Sequence, residues 1–238
     1  MKKSKEVLVS AVVVAAGKGT RMHMDKNKQY IEIGEVPVLA RTLLTLQKCG
    51  RVSEIIVVVN SQDIVYCKQE IIDGYGLYKV KKIVAGGETR QNSVYNGLLD
   101  VSQDCEIVLI HDGARPFVRE ESIEESITAA LEHGASCVAV PSKDTIKSAD
   151  ENGFVSGTLD RKALWMTQTP QTFRYQLIMD AHKKAIDDGF DGTDDAVLVE
   201  RLGFPIKLVM GSYDNIKITT QEDLILGEAI ADSREYYG

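Results

Sequence analysis

The chain has 238 residues, of which 44% are hydrophobic and 26% charged, and its formal net charge is −7. This length suffices for one large domain with a well-covered core, and the acidic balance argues against a general nucleic-acid-binding surface. Any anion that the protein binds must therefore meet a local cluster of Arg and Lys side chains.

The cysteines and the hydropathy pattern indicate a cytoplasmic protein. Cys49, Cys67, Cys105 and Cys137 lie far apart, with no C-x-x-C pair and no His at metal-ligand spacing, so we expect reduced, structural thiols. No apolar run approaches the roughly 18 residues of a membrane span. The Lys-rich start leads into a β-branched run rather than into the apolar region and cleavage site of a signal peptide.

The first predicted element is a buried strand that ends in a glycine-rich loop. A β-branched run from Val7 is followed by Ala15-Ala16-Gly17-Lys18-Gly19-Thr20-Arg21-Met22. Backbone N–H groups of such a turn can cradle phosphate, and Arg21 and Lys28 follow closely to neutralise negative charge. A dinucleotide fingerprint would need glycine in place of Met22, and a P-loop would need Ser or Thr in place of Gly19. The simpler alternative is a glycine turn with two solvated basic residues.

Helices and strands then alternate along the chain. The pattern predicts a helix from Pro37 to about residue 50, strands at 55–59, 80–84 and 106–110, and helices at 62–73, after the Gly86–Gln91 loop, and at 120–133. This order predicts an α/β fold with a mostly parallel, Rossmann-like sheet covered by helices on both faces. Ligands bind at the carboxyl ends of such strands, so the loops after the first, third and fourth strands should form one site.

The alternation breaks at a predicted β-arm over residues 141–164. Asp150-Glu151-Asn152-Gly153 is typical of a hairpin turn between two short alternating stretches. An isolated hairpin is marginally stable in water, so we expect the arm to pack on a second subunit.

The remainder of the chain returns to the same domain. We predict a core segment at 165–173, a helix at 175–187, a short helix ending at Leu202, a strand at 206–210 and a closing helix with Thr219 and Glu222 as its capping box. The whole chain, 1–238, is thus predicted to form one domain.

Two further segments carry candidate chemistry. His111-Asp112-Gly113-Ala114-Arg115-Pro116 follows the fourth strand, and its Asp112 is well placed to hold Mg²⁺ near a phosphate loop. The alternative is that Asp112 caps the next helix or pairs with Arg115. His111 lacks a nucleophile to activate and is interpreted as structural. Lys217, at the end of the last strand, is assigned to the α-phosphate or the incoming phosphate, although a lone lysine is usually solvated.

These residue types suit the transfer of a nucleotide from a triphosphate to a phosphomonoester. The second pKa of a monoester is about 6, so its attacking oxygen is largely ionised at neutral pH and needs no general base. The barrier comes from repulsion between two anions and from charge that develops on phosphorus and pyrophosphate, which fixed cations and backbone donors reduce.

Taken together, seven blocks closely resemble the 2-C-methyl-D-erythritol 4-phosphate cytidylyltransferases of the non-mevalonate isoprenoid pathway, within the sugar-nucleotide nucleotidyltransferases. The blocks span nearly the whole chain in order: Ala15–Met22, Lys28-Gln29-Tyr30, Gly86-Gly87 with Arg90 and Ser93, His111–Pro116, Asp144–Lys147, Gln168–Gln171 and Asp214–Lys217. The resemblance implies a homodimeric enzyme that converts CTP and methylerythritol 4-phosphate into a CDP-alcohol and pyrophosphate with Mg²⁺.

The resemblance also implies a role for each matching residue. The catalytic residues would be Arg21, Lys28, Lys217 and Arg161, and Asp112 would hold the metal. The CTP site would comprise Ala15, Ala16, Gly17, Gly19, Gly87 and Ser93. The sugar phosphate would meet Arg115, Thr193 and Lys217, while Thr145 and Arg161 of the arm would reach into the neighbouring subunit's site.

Two departures and three alternatives remain open at this point. Asn27 stands where proline is common, and Asp195 stands where glutamate is frequent, which weakens a role for Asp195. A ribitol-5-phosphate cytidylyltransferase shares the loop, the Asp block and the arm. A non-catalytic nucleotide-binding module would have little use for charges aimed at the reacting phosphate. A dinucleotide-dependent oxidoreductase lacks its third fingerprint glycine.

Overall fold

The computed structural model describes residues 7–17 and 28–237. The described strands are β1 Val9–Val14, β2 Glu32–Ile33, β3 Val36–Pro37, β4 Glu54–Val59, β5 Val80–Ala85, β6 Ile107–Asp112, β7 Ala135–Pro141, β8 Lys147–Ala149, β9 Val155–Thr158, β10 Trp165–Arg174 and β11 Lys207–Met210. The described α-helices are α1 Val38–Lys48, α2 Ile64–Tyr66, α3 Arg90–Leu99, α4 Glu120–His133, α5 Tyr175–Asp187, α6 Ala196–Glu200 and α7 Gln221–Tyr237.

Seven strands form one sheet in the order β11-β7-β10-β6-β1-β4-β5. Strand β1 is the fifth in this order and pairs in parallel with both β4 and β6, and β5 and β11 are also added in parallel. Strand β10 runs antiparallel to both β6 and β7 because the chain returns through it from the arm. The predicted mostly parallel sheet is confirmed.

Helices cover both faces of this sheet, as predicted. Along β1, Ala11 and Val13 belong to a core cluster with residues of α1 and α4, whereas Val12 belongs to a second cluster with residues of α3 and α5. Because successive side chains of a strand point to opposite faces, an unbroken apolar strand is required to supply both clusters.

Three local predictions were wrong in detail. The helix expected at 62–73 is a 3₁₀ turn, the short α2 and a π-helical turn over Cys67–Asp73, whose wider spacing buries Cys67, Ile71 and Ile72 together. The fourth strand extends to Asp112, since pairing with β1 continues to Val14. At the start of α7 the cap is Thr220 with Asp223, whose carboxylate accepts bonds from the Thr219 and Thr220 N–H groups, each at 2.8 Å.

The predicted arm is present as an antiparallel hairpin of β8 and β9. Its turn is closed by Asp150, whose side chain accepts from the N–H groups of Asn152 and Phe154. Phe154 and Val155 are 72% and 64% exposed, so the arm presents apolar surface to its surroundings. Within residues 7–17 and 28–237, no helix is long and apolar enough to cross a membrane.

Candidate active site

A cavity of about 690 Å³ opens at the carboxyl edge of the sheet. The loops after β1, β5 and β6 all contribute to its wall, together with Lys217 from the segment after β11, so loops that are distant in sequence meet at one edge. Its lining includes Ala15, Ala16, Gly17, Gln29, Gly86, Gly87, Glu88, Arg90, Ser93, Asp112, Ala114 and Lys217.

One side of the cavity is built by two small-residue loops in close contact. A Cβ atom added at Gly86 would lie 2.4 Å from the Cβ of Ala16 and 2.9 Å from the Oγ of Ser93, so only glycine fits there. The Gly87 N–H donates to the buried Ser93 Oγ at 3.1 Å. Because these loops carry small side chains or none, a flat or phosphate-bearing ligand can approach their main-chain atoms closely.

The centre of the site is the carboxylate of Asp112, which has three cationic neighbours. Its oxygens lie 2.8 Å from Lys217 Nζ, 3.3 Å from Arg90 Nε and 3.5 Å from Arg115 Nε. The Asp112 side chain is 9% exposed. Three positive charges thus converge on one carboxylate beside the cavity of an acidic protein.

The neighbouring charges control the pKa values of this cluster. Burial raises the pKa of the Asp112 carboxyl, but the cations Arg90, Lys217 and Arg115 outweigh burial and hold that pKa well below its usual range. Burial lowers the pKa of Arg115, which Asp112 partly offsets. Asp112 is therefore a carboxylate, with no proton to donate, across the physiological pH range.

Arg90 is the functional candidate for which the sequence analysis offered no role. It is the first residue of α3, after a Thr89 cap that accepts from Asn92 N–H at 3.1 Å. Its guanidinium bridges two carboxylates, Asp112 and Asp195, the latter at 2.8 Å from Nη1. The signal in the sequence was its place at the start of the helix, three residues after Gly87, where a long basic side chain lies at the same edge of the sheet as the glycine loop.

His111 is held in a structural role, as expected. Its Nε2 lies 3.2 Å from the carbonyl oxygen of Arg115, which can only accept, so a neutral ring carries its proton on Nε2. Nδ1 then accepts from the Thr169 hydroxyl at 2.9 Å, and that hydroxyl accepts from the Asp112 N–H. Burial lowers the pKa of His111 to about 4, so the ring is neutral at pH 7.

The remaining predicted site residues are placed as follows. Arg115 lies beside Asp112 and donates from Nη1 to the Asn215 carbonyl oxygen at 2.7 Å. Thr193 is exposed on the loop before α6. Thr145 and Arg161 are exposed in the arm and do not line the cavity of their own chain.

The first glycine-rich loop is only partly described. Arg21 and Gly19 lie outside the described residues. Lys28 begins a 3₁₀ turn, Lys28–Tyr30, and its side chain is likewise outside the description. Gln29 from this turn lines the cavity and is 1% exposed, and in the described part of the chain neither atom of its amide has a hydrogen-bond partner.

Comparison with known proteins gives a consistent result. A family model described as "IspD: 2-C-methyl-D-erythritol 4-phosphate cytidylyltransferase" matches residues 9–233. Among curated relatives, the 2-C-methyl-D-erythritol 4-phosphate cytidylyltransferase of Caldanaerobacter subterraneus is 53% identical over 92% of this chain and 97% of the relative. The protein of the same name from Alkaliphilus metalliredigens is 52% identical over 95% and 94%.

Solved structures agree with these relatives in fold. The 4-diphosphocytidyl-2C-methyl-D-erythritol synthase from Anaerococcus prevotii superposes with a TM-score of 0.86 at 37% identity, covering 95% of this chain and 97% of that one. The 2-C-methyl-D-erythritol 4-phosphate cytidylyltransferase from Thermus thermophilus superposes with a TM-score of 0.79 at 31% identity, covering 95% and 100%.

Proposed function

The chain belongs to the 2-C-methyl-D-erythritol 4-phosphate cytidylyltransferase family, and we propose that the cavity around Asp112 is where its reaction takes place. The enzyme transfers CMP from CTP to 2-C-methyl-D-erythritol 4-phosphate, giving 4-diphosphocytidyl-2-C-methyl-D-erythritol and pyrophosphate. The observation that carries the proposal is the convergence of Lys217, Arg90 and Arg115 on one buried carboxylate beside two small-residue loops.

The reaction needs positive charge more than it needs a proton carrier. An oxygen of the methylerythritol phosphate forms a bond to the α-phosphorus of CTP, while the bond from that phosphorus to the leaving pyrophosphate breaks. The attacking oxygen is already ionised, so a base is not required, and His111 is buried and hydrogen-bonded on both ring nitrogens. Fixed cations instead reduce the repulsion between the reactants and stabilise the charge that develops on the departing group.

The donor set suits Mg²⁺ at Asp112. Mg²⁺ is bound in proteins by one or two carboxylates together with water and substrate phosphate, and Asp112 offers one ionised carboxylate in the cavity wall. When bound, the ion would neutralise phosphate charge and orient the triphosphate. Lys217 and Arg115 would then be available to the sugar phosphate, since the metal would neutralise the carboxylate that they share.

We assign the other roles by position in the cavity and by family resemblance. The backbone at Ala15, Ala16 and Gly17, with Gly19 beyond it, would contact the triphosphate. Gly87 and Ser93, at the far side, would meet the base. Arg21 and Lys28 would stabilise the transition state, and Thr193 would meet the sugar phosphate.

The arm supports an assembly in which two chains complete each other's sites. Thr145 and Arg161 are exposed and lie off the cavity of their own chain, while Phe154 and Val155 expose apolar surface nearby in the arm. We propose a homodimer in which the arm packs on the partner and brings these two polar side chains to the partner's polyol.

The four cysteines are buried and unpaired, which fits the reducing cytoplasm.

Pyrophosphate release is the direct test of the activity and of the polyol. Purified protein with CTP and Mg²⁺ is expected to release pyrophosphate with methylerythritol 4-phosphate and much more slowly with ribitol 5-phosphate. Lys217→Met should lower turnover by roughly 10²–10³-fold, as is found when one donor to a developing oxyanion is removed. Lys82→Met, which removes a surface lysine paired with Asp100 outside the cavity, is the matched control. Near-normal turnover of the Lys217 variant would refute the role assigned to Lys217. Pyrophosphate release with ribitol 5-phosphate but not with methylerythritol 4-phosphate would show that the substrate is ribitol 5-phosphate.

A further inference from the structure

Arg90 is attached to the protein at two points that differ in their access to the cavity. Asp112 lines the cavity and is shared with Lys217 and Arg115. Asp195 does not line it, is 1% exposed, and lies behind the guanidinium at 2.8 Å from Nη1. One carboxylate is therefore shared by three cations in the cavity wall, and the other has Arg90 as its close cationic partner among the described residues.

The position of Asp195 is fixed by the fold rather than by Arg90. The Gln171 side chain on β10 accepts from the Asp195 and Ala196 N–H groups at 3.1 and 2.9 Å, and donates to the Asp194 carboxylate at 2.9 Å. The buried His182 ring of α5 lies 3.6 Å from the other oxygen of Asp195. A side chain that is held in place before ligand arrives can orient a mobile partner at little entropic cost.

We propose that Asp195 is a positioning residue that holds the Arg90 guanidinium in the nucleotide site when Asp112 is engaged by other cations. The proposal rests on the proposed function, because it assigns Arg90 to CTP. Arg90 lines the cavity together with Asp112, Gly86 and Gly87 and is 28% exposed, so its side chain is accessible from the space where the nucleotide's charge would lie. Without Asp195, a guanidinium that lost Asp112 would have no close carboxylate among the described residues.

A double-mutant cycle on CTP affinity tests this arrangement. The cycle comprises wild type, Arg90→Met, Asp195→Asn and the double variant, each titrated with CTP and Mg²⁺ in the absence of polyol phosphate. We expect Arg90→Met to weaken CTP binding by roughly 10–100-fold, the range for a hydrogen bond to a charged group. Asp195→Asn should weaken it by a smaller factor in the wild-type background and have no further effect once Arg90 is replaced, because it acts through Arg90.

Kinetics and stability provide readouts that a merely structural role would not give. Asp195→Asn should raise the KM for CTP more than it lowers kcat. Arg90→Met alone should lower Tm, since it leaves a buried carboxylate without its cation, and the double variant should recover part of that loss. Asp100→Asn, which breaks an Asp–Lys pair on the surface, is the control and should leave CTP affinity unchanged.

The outcomes separate this inference from the proposed function. Unchanged CTP affinity in folded Asp195→Asn, or factors that simply multiply in the double variant, would overturn the positioning role while leaving the enzyme's activity intact. Failure of the wild-type protein to bind CTP would instead overturn the assignment of the cavity.

Discussion

Replacement of Asp112 by asparagine tests the charge balance of the site. The variant keeps the shape of the side chain but leaves Arg115 and Lys217 close together without their shared negative charge. Arg90 keeps Asp195, so the loss falls mainly on the other two cations. The folded state should therefore be destabilised, and the site should become more attractive to anions.

The size of the effect follows from the burial of the cluster. The Asp112 and Arg115 side chains are 9% and 13% exposed, so the pairs are poorly screened by water. Removal of one member of a buried ion pair costs about 3–5 kcal/mol, mostly because the remaining charge stays buried. For a chain of this size, about 1 kcal/mol corresponds to roughly 2–4 °C in Tm, so we expect a decrease of roughly 6–20 °C.

Thermal unfolding with and without pyrophosphate provides the assay. Metal-free pyrophosphate should raise the Tm of Asp112→Asn more than that of wild type, since the anion replaces the missing negative charge. The control is Asp214→Asn, whose partner Arg119 lies at 2.9 Å on the surface with both side chains about half exposed, and it should cost less than about 1 kcal/mol. A Tm of Asp112→Asn close to wild type, or equal stabilisation by pyrophosphate, would refute the reasoning.

Three further predictions concern groups outside this charge cluster. The pKa of His111 is about 4 in the folded state and near 6.5 in the unfolded state, so the unfolded chain takes up a proton first as pH falls. Between pH 8 and pH 5 this should lower the free energy of unfolding by about 2 kcal/mol, as measured by urea unfolding. The pH-dependent loss should be absent in His111→Gln. Gln29→Met should raise Tm by a few degrees, because it removes a buried amide that has no hydrogen-bond partner among the described residues, and a lower Tm would show that the amide is satisfied. Asp223→Ala should lower the free energy of unfolding by about 1–2 kcal/mol, because it removes the cap of α7, whereas Glu222→Ala should lower it little. A larger loss for Glu222→Ala in urea unfolding would favour Thr219 and Glu222 as the capping box.

The strongly periodic elements could be predicted from the sequence. The helices at 120–133 and 175–187 were predicted with the bounds the structure has, because amphipathic spacing and flanking signals agree there. The π-helical turn over Cys67–Asp73 could not be, since its apolar spacing resembles an ordinary helix and the wider turn is set by packing. The extra residues of β6 depend on pairing with β1, which a single strand's pattern does not contain.

The candidate site could be predicted in outline but not in its connections. The glycine loops, Asp112 and Lys217 were recognisable because each follows a predicted strand, and parallel strands bring such residues to one edge. The alternative in which Asp112 pairs with Arg115 is present in the structure, and the metal-ligand role of the same carboxylate stays a prediction. Arg90 and Asp195 are more than a hundred residues apart in the sequence, and a local sequence pattern cannot predict an ion pair between such distant residues.

The contact between Gly86 and Ala16 has a consequence for how this protein can vary over time. The two positions share the space of about one methyl group, since a side chain at 86 would overlap that of Ala16. Gly86→Ala alone should therefore be harmful, and Ala16→Gly should relieve the larger part of the overlap, while the close approach to Ser93 Oγ remains. In homologous sequences, substitutions at positions 16 and 86 are therefore expected to be correlated, and this correlation would identify the contact between the two loops.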